Sequence, residues 1–253
     1  LDLEKNLVVP QVYKKLFSKM ASFTISNSDI LRAVSSSTEE QALSFDPSKK
    51  VVRFPAWVDF EIFSNVKPLR NNEKNFKILF IGSVTDRKKP HLIVEAINNF
   101  NSKDIKLYIV GPTPNENYLS QLKKLVQEYD LVDQVSFTGS IDRKSVMDHY
   151  ADTNLMILPS VSEGLARVIF ESQVTACPVL VTDAPGMGDI VIDGQTGYIF
   201  ESDNLESLTS KIQEIKNNYQ DAIHVGNNAK NFILSNYSAD NFKFSFKKLF
   251  DAV

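Results

Sequence analysis

Short apolar runs alternate with amphipathic stretches along most of the chain. From residue 77 onward the runs are 77–81, 107–110, 135–138, 155–158, 179–182 and 198–200. Most are rich in Val, Ile, Leu or Phe and bounded by Gly, Pro, Ser or Asp, as strands buried on both faces are. Between them, residues 92–100, 116–129 and 144–150 repeat apolar positions at helical spacing. After the run at 155–158, a Ser/Pro/Gly turn leads into another helical pattern, with Leu165, Val168, Ile169, Ser172 and Ala176 on one side. Residues 203–253 supply closing helices. Strands that alternate with amphipathic helices predict βαβ units, so the fold class is α/β, a Rossmann-like parallel sheet flanked by helices. Ligands of such sheets bind beyond the carboxyl ends of the strands. Gly82, Gly111, Gly139 and the Pro159-Ser160 turn each follow a strand directly and are expected to line one rim.

The first 70 residues pattern differently. Tyr13, Leu16, Phe17 and Met20 alternate with Lys14, Lys15 and Lys19, which predicts a short basic amphipathic helix. Residues 23–26 read as a strand, 29–34 as the start of a helix and 35–38 as a loop. Residues 51–55 read as another strand, followed by Trp57, Val58, Asp59 and Phe63.

Composition narrows the choices. The chain has 253 residues, 43% of them hydrophobic and 23% charged, the ordinary balance of a globular protein with a sizeable core. A net charge of -3 argues against nucleic acid as the main partner. The one cysteine, Cys177, excludes an internal disulfide and a cysteine metal cluster, and before the apolar 178–181 it reads as a small buried hydrophobe. No apolar run reaches the ~18 residues of a membrane span. The expected location is cytoplasmic, with peripheral attachment to a membrane left open. The chain begins at Leu1 rather than Met, so a longer natural chain is expected. His91, His149 and His224 have no spaced partners, which predicts neither a metal site nor a histidine triad.

The densest chemistry lies at 159–171. Glu163 and Glu171 are separated so that, read as one helix at ~1.5 Å per residue, they stand about 12 Å apart along its axis. Between them the free amides of Gly164, Leu165 and Ala166 suit a phosphate, whereas carboxylates suit sugar hydroxyls. Two acids about an anion seat point to a ligand built as sugar, diphosphate and ribose. The turn after the first strand, 82–90, adds Arg87 and Lys88. A diphosphate held without a metal calls for about two cations or several aimed amides. A basic turn is otherwise an ordinary solvated surface; its adjacency to the Glu163 motif favours a role for Lys88. A third turn, 183–191, carries Gly186, Met187, Gly188 and Asp189.

These motifs, in this order, resemble the retaining GT-B glycosyltransferases of family four, often called glycosyl transferases group one. The resemblance runs from about residue 21 to the C-terminus. It implies a remnant of an N-terminal acceptor domain at 1–50 and an interdomain crossing at 51–70, where Ala56-Trp57-Val58-Asp59 stands for Asn-Gly-Val-Asp. It further implies a nucleotide-sugar-binding domain at 71–235 and a closing C-terminal helix at 236–253 that packs back on the first domain. Lys88 and Glu163 are then the catalytic residues, Lys88 at the leaving diphosphate and Glu163 at the sugar end. Ser83 stands where the family has an arginine, and Arg87 lies within reach of the same phosphates. Glu171 binds the ribose. Gly139, Ser140 and Ile141 hold the base through backbone groups. Gly164, Leu165, Ala166, Gly186, Met187 and Gly188 offer amides to phosphate and sugar, and Asp189 opens a helix in place of a glutamate. No metal or cofactor is implied beyond the donor itself. The implied partners are a nucleotide sugar, a saccharide or lipid-linked acceptor, and a missing N-terminal domain or partner subunit. A sugar-nucleotide epimerase and a non-catalytic binding or partner-stabilising module stay open as alternatives.

Overall fold

A computed structural model describes residues 11–70, 75–100 and 102–251, and the side chains of Gln11, Val12, Lys14 and Glu61 lie outside the described ones. The first segment comprises helix α1 (Gln11–Ser26), strand β1 (Leu31–Ala33), helix α2 (Ser36–Phe45), strand β2 (Val51–Arg53) and the short helix α3 (Glu61–Ser64). Strands β1 and β2 pair in parallel as a sheet of their own. The basic amphipathic helix is present, but it runs through residues 23–26, which were expected as a strand. Phe23 continues the spacing of Leu16 and Met20, and the helical bonding runs on through its carbonyl, which accepts from the Asn27 amide at 3.1 Å. Residues 31–33 form a strand rather than a helix start, because their amide and carbonyl groups find partners on β2.

The Ser-rich stretch at 35–38 was expected as a loop, and it is a helix cap. Ser35 Oγ accepts from the Thr38 amide at 3.3 Å, and Thr38 Oγ1 accepts from the Ser35 amide at 2.9 Å. This reciprocal box uses Thr where Glu or Gln is usual, which hides it in a polar run.

The main sheet has six parallel strands in the order β5-β4-β3-β6-β7-β8. They are β3 (Phe76–Ile81), β4 (Ile105–Val110), β5 (Val135–Gly139), β6 (Leu155–Leu158), β7 (Val179–Thr182) and β8 (Tyr198–Phe200). All six coincide with apolar runs of the sequence. Every residue of β6 and β7 is buried, as sheets covered on both faces require. Helices α4 (Pro90–Asn99), α5 (Glu116–Glu128), α6 (Arg143–Asp152), α7 (Arg167–Val174), α8 (Leu205–Asn217) and α9 (Tyr219–Asn236) flank it. Cys177 lies buried in this core.

The order matters for function. From β3 the chain builds outward to β4 and β5, then returns to place β6 on the other side of β3. The loops after β3 and β6 therefore leave in opposite directions and open a crevice between them.

The last helix, α10 (Ala239–Phe250), packs back on the first segment. Phe54, just after β2, meets Phe242 and Phe246 edge-on at 5.8 and 5.6 Å. The Arg32 guanidinium lies 4.3 Å over the Phe54 ring and donates to the Pro55 carbonyl at 2.6 Å. The aromatic spacing of α10 thus ties the N-terminal segment to the end of the chain.

Candidate active site

Bare backbone makes room at the mouth of the crevice. Gly111 has φ +135°, and a Cβ there would lie 2.2 Å from the Gly82 carbonyl oxygen. The strand ends can approach so closely only as glycines. Lys88 then folds back over Gly82 from a single 3₁₀ turn at Asp86–Lys88.

The expected catalytic pair is brought together. Lys88 Nζ lies 3.1 Å from Glu163 Oε1, and Arg87 Nη1 lies 3.3 Å from the same oxygen. Ser160 Oγ donates to it as well, at 2.9 Å. Arg87 also donates to the Ser162 carbonyl, and its own carbonyl accepts from the Val161 amide at 3.2 Å. One carboxylate oxygen therefore gathers two cations and a hydroxyl. The Glu163 and Lys88 side chains are only 9% and 13% exposed, whereas Arg87 is 39% exposed. Ser160, buried and anchored by the Thr182 hydroxyl on its carbonyl at 2.7 Å, was expected at the rim from sequence but given no role in the site. Ser83 is half-buried beside this cluster in the chain.

The helix geometry differs from expectation. Helix α7 begins at Arg167, with Ala166 as its cap residue, so Glu163 stands in the preceding loop and not on a common helix with Glu171. Gly164, a poor helix former, and the close approach of the next turn to the Glu163 backbone leave this stretch out of the helix. Among the described residues the amides of Gly164, Leu165 and Ala166 donate to no protein acceptor, so they remain open at the helix start.

The turn after β7 presses on this loop. The Glu163 amide donates to the Pro185 carbonyl at 3.3 Å. Gly186 has φ +90°, and a Cβ there would sit 2.0 Å from the Glu163 carbonyl oxygen. Met187 departs from the expectation of a donor contact. It is fully buried and its amide donates to the Ala184 carbonyl at 3.2 Å, so it anchors the turn from below. Gly186 and Gly188 keep their amides unspent among the described residues.

Asp189 opens no helix of its own. Its Oδ2 accepts from the Ser36 amide at 2.6 Å and the Ser36 hydroxyl at 3.0 Å, at the start of α2. Its Oδ1 lies 3.3 Å from Arg53, which also pairs with Glu39 at 3.2 Å. A cleft of about 220 Å³ lies between these parts, lined by Ser35, Arg53, Gly164, Leu165, Gly186 and Asp189 among others.

Glu171 lies on α7 with Tyr150 Oη 3.2 Å from its Oε2. Burial pushes its carboxyl above the usual range, opposed by the Tyr150 bond. Tyr150 is fully buried, and burial raises its hydroxyl as well. At the far end of the rim, Gly139 has φ +66° and its carbonyl accepts from the Gly111 amide at 2.9 Å. Ser140 beside it is exposed, and Ile141 is partly buried against the core. His91 is hydrogen-bonded through Nδ1 to Tyr118 Oη at 2.7 Å. The His149 ring meets that of Tyr108 at a tilt of 56°, with centres 5.3 Å apart. Among the described residues no three His, Cys, Asp or Glu side chains converge to hold a metal, and no helix is long and apolar enough to cross a membrane.

The family model for glycosyl transferases group 1 matches residues 61–232, more than half of the chain. The chain belongs to that family. It is 25% identical over 175 residues to the capsular polysaccharide biosynthesis glycosyltransferase CapM of Staphylococcus aureus, covering 65% of this chain and 43% of CapM. It is 22% identical over 228 residues to the GDP-mannose-dependent alpha-(1-6)-phosphatidylinositol monomannoside mannosyltransferase of Mycolicibacterium smegmatis, covering 83% of this chain and 59% of that protein. The chain spans about half the length of the curated relatives it matches. The fold is also that of Anabaena HepE, solved with UDP and glucose, at TM-score 0.82 and 15% identity over 98% of this chain and 70% of that one. The group 1 chain thus has the GT-B type of parallel sheet flanked by helices that the sequence predicted.

Proposed function

We propose that this group 1 chain is the donor-binding part of a retaining glycosyltransferase. It moves a sugar from a nucleotide-diphosphate sugar to a hydroxyl of a glycan or lipid-linked acceptor. The observation that carries this reading is the meeting of Lys88, Arg87 and Glu163 beside open amides at the β3/β6 crevice. Residues 71–235 hold the donor, and residues 1–50 belong with an acceptor side completed by a further domain or subunit.

The diphosphate lies against Lys88, Arg87 and the amides of residues 164–166, with Arg87 taking the role of the arginine absent at Ser83. Glu163 then faces the sugar and Glu171 the ribose. The base lies over Gly139, Ser140 and Ile141. As the sugar–phosphate bond breaks, Lys88 and the aimed amides stabilise the departing charge. The acceptor oxygen forms its bond to the same sugar carbon from the same face, and its proton passes to the leaving phosphate. The chemistry asks for no metal or further cofactor. Support for a nucleotide-sugar donor comes from HepE, solved with UDP and glucose, and from the mannosyltransferase, named for GDP-mannose. The two differ in base, and backbone recognition at 139–141 is compatible with either.

Calorimetry with UDP-glucose and GDP-mannose, with and without a chelator, tests this reading. Binding of a sugar nucleotide that survives chelation is the expected result. Binding lost with divalent metal removes the proposed role of Lys88 and the amides. A labelled-donor assay comparing this chain with one carrying the acceptor domain then reads transfer itself.

A further inference from the structure

Asp189 is a polar tie between the N-terminal segment and the sheet domain, in addition to the aromatic contacts of α10. Helix α2 buries none of its residues, so apolar packing contributes little to its attachment. What holds its N-terminus to the sheet domain is the Asp189 carboxylate, on the amide and hydroxyl of Ser36. Ser35 caps the amide at the third helical position, and Asp189 caps the one at the first. A negative charge there also matches the positive end of the helix. The other carboxylate oxygen meets Arg53 of β2, and the Asp189 carbonyl accepts from Tyr237 Oη at 3.2 Å.

The same short turn touches the catalytic loop. Three residues before Asp189, Gly186 sits so close to the Glu163 carbonyl that no Cβ fits between them. Met187, fully buried, pins the turn from below. A shift at Asp189 is therefore passed to Glu163 through a contact without slack. The cleft lined by Ser35, Arg53, Gly164 and Gly186 lies between the two ends of this linkage.

We propose that Asp189 is a positioning residue that sets the Gly186 turn, and through it Glu163, at a fixed distance from the N-terminal segment, so shaping the sugar end of the donor site. This rests on the donor reading above. Glu171, which serves the ribose, lies outside the linkage, and Lys88, which serves the diphosphate, meets it only at the Glu163 carboxylate. Loss of Asp189 should therefore alter preference for sugar nucleotide over bare nucleotide more than it alters nucleotide binding itself.

The test compares wild type, Asp189→Ala and Asp189→Glu by amide hydrogen exchange and by titration with UDP and UDP-glucose, GDP and GDP-mannose. Exchange needs no ligand. Asp189→Ala should speed exchange at 36–45 and also at 161–166, and Asp189→Glu, which restores the acceptor and charge, should slow both again. The preference for sugar nucleotide should fall about tenfold in Asp189→Ala, the equivalent of one charge-assisted hydrogen bond. Faster exchange confined to 36–45 would make Asp189 a local cap and overturn the proposal, as would failure of Glu to restore 161–166. If Asp189→Ala does not fold, Ser36→Ala, which removes one donor, is read at the same peptides with the same expectations. Wild-type protein that binds neither sugar nucleotide defeats the donor reading, while the exchange at 161–166 still decides the linkage.

Discussion

Replacing Glu163 with Gln should strengthen the binding of a bare nucleoside diphosphate. The Glu163 carboxylate pairs with the cations that the proposed diphosphate would use, 3.1 Å from Lys88 and 3.3 Å from Arg87. The ligand must displace it. Gln keeps the volume and an oxygen for the Ser160 hydroxyl but removes the competing charge. Two unit charges at this separation attract by about 5 kcal/mol at an effective dielectric constant of 20. Desolvation offsets much of that, and hydrogen bonds to charged groups contribute a net of about 1.5–3 kcal/mol. Arg87 is 39% exposed, so solvent screening makes its share small, and Lys88 carries the effect. UDP or GDP should accordingly bind roughly tenfold to a hundredfold tighter. The gain should vary little between about 0.05 and 0.5 M salt, because a largely buried pair is weakly screened. The sugar nucleotide should not share it, since Glu163 is lost as a partner for the sugar hydroxyls. Calorimetric titration of wild type and Glu163→Gln with both ligand types measures each term. Equal or weaker binding of the bare nucleotide by the variant would refute the competition between Glu163 and the diphosphate.

Lys88→Met should weaken nucleoside diphosphate binding by about 1.5–3 kcal/mol in the same titration, since a buried charge-assisted contact is lost. Glu171→Gln should weaken nucleotide binding by ~1–3 kcal/mol yet raise thermal stability at neutral pH. Burial raises the folded-state pKa of Glu171, so its carboxyl favours folding below its ordinary value of 4.5, and that contribution is lost as pH rises through the raised pKa. The Tm gain of Glu171→Gln should therefore be larger at pH 7 than at pH 4, which thermal melts at the two values can check. Gly186→Ala should destabilise the fold by about 1–3 kcal/mol from backbone strain alone, read by chemical denaturation, with further loss where the added carbon meets the Glu163 carbonyl.

The sequence alone located all six strands of the main sheet and the helices between them, because a strand covered on both faces must be apolar throughout, whatever its neighbours. It also marked the chemistry-bearing turns, since Gly, Pro and open amides act within a few residues. Its errors fall where local signals compete. Residues 23–26 favour a strand by type and a helix by spacing, and they continue helix α1 although Leu16, Met20 and Phe23 stay exposed. The Ser35–Thr38 box looks like a loop because Thr38 stands where an acid or amide usually completes the cap. Glu163 and Glu171 carry helical spacing, yet the Glu163 loop is held off α7 by the Gly186 turn, which is remote in sequence. Tertiary structure alone paired the Glu163 oxygen with both Lys88 and Arg87, on a loop from another strand. It alone gave Asp189 its partner, Ser36, 153 residues earlier in the chain. Periodicity and turn chemistry are encoded by near neighbours, whereas the partner of a charge depends on the order in which the strands are laid side by side.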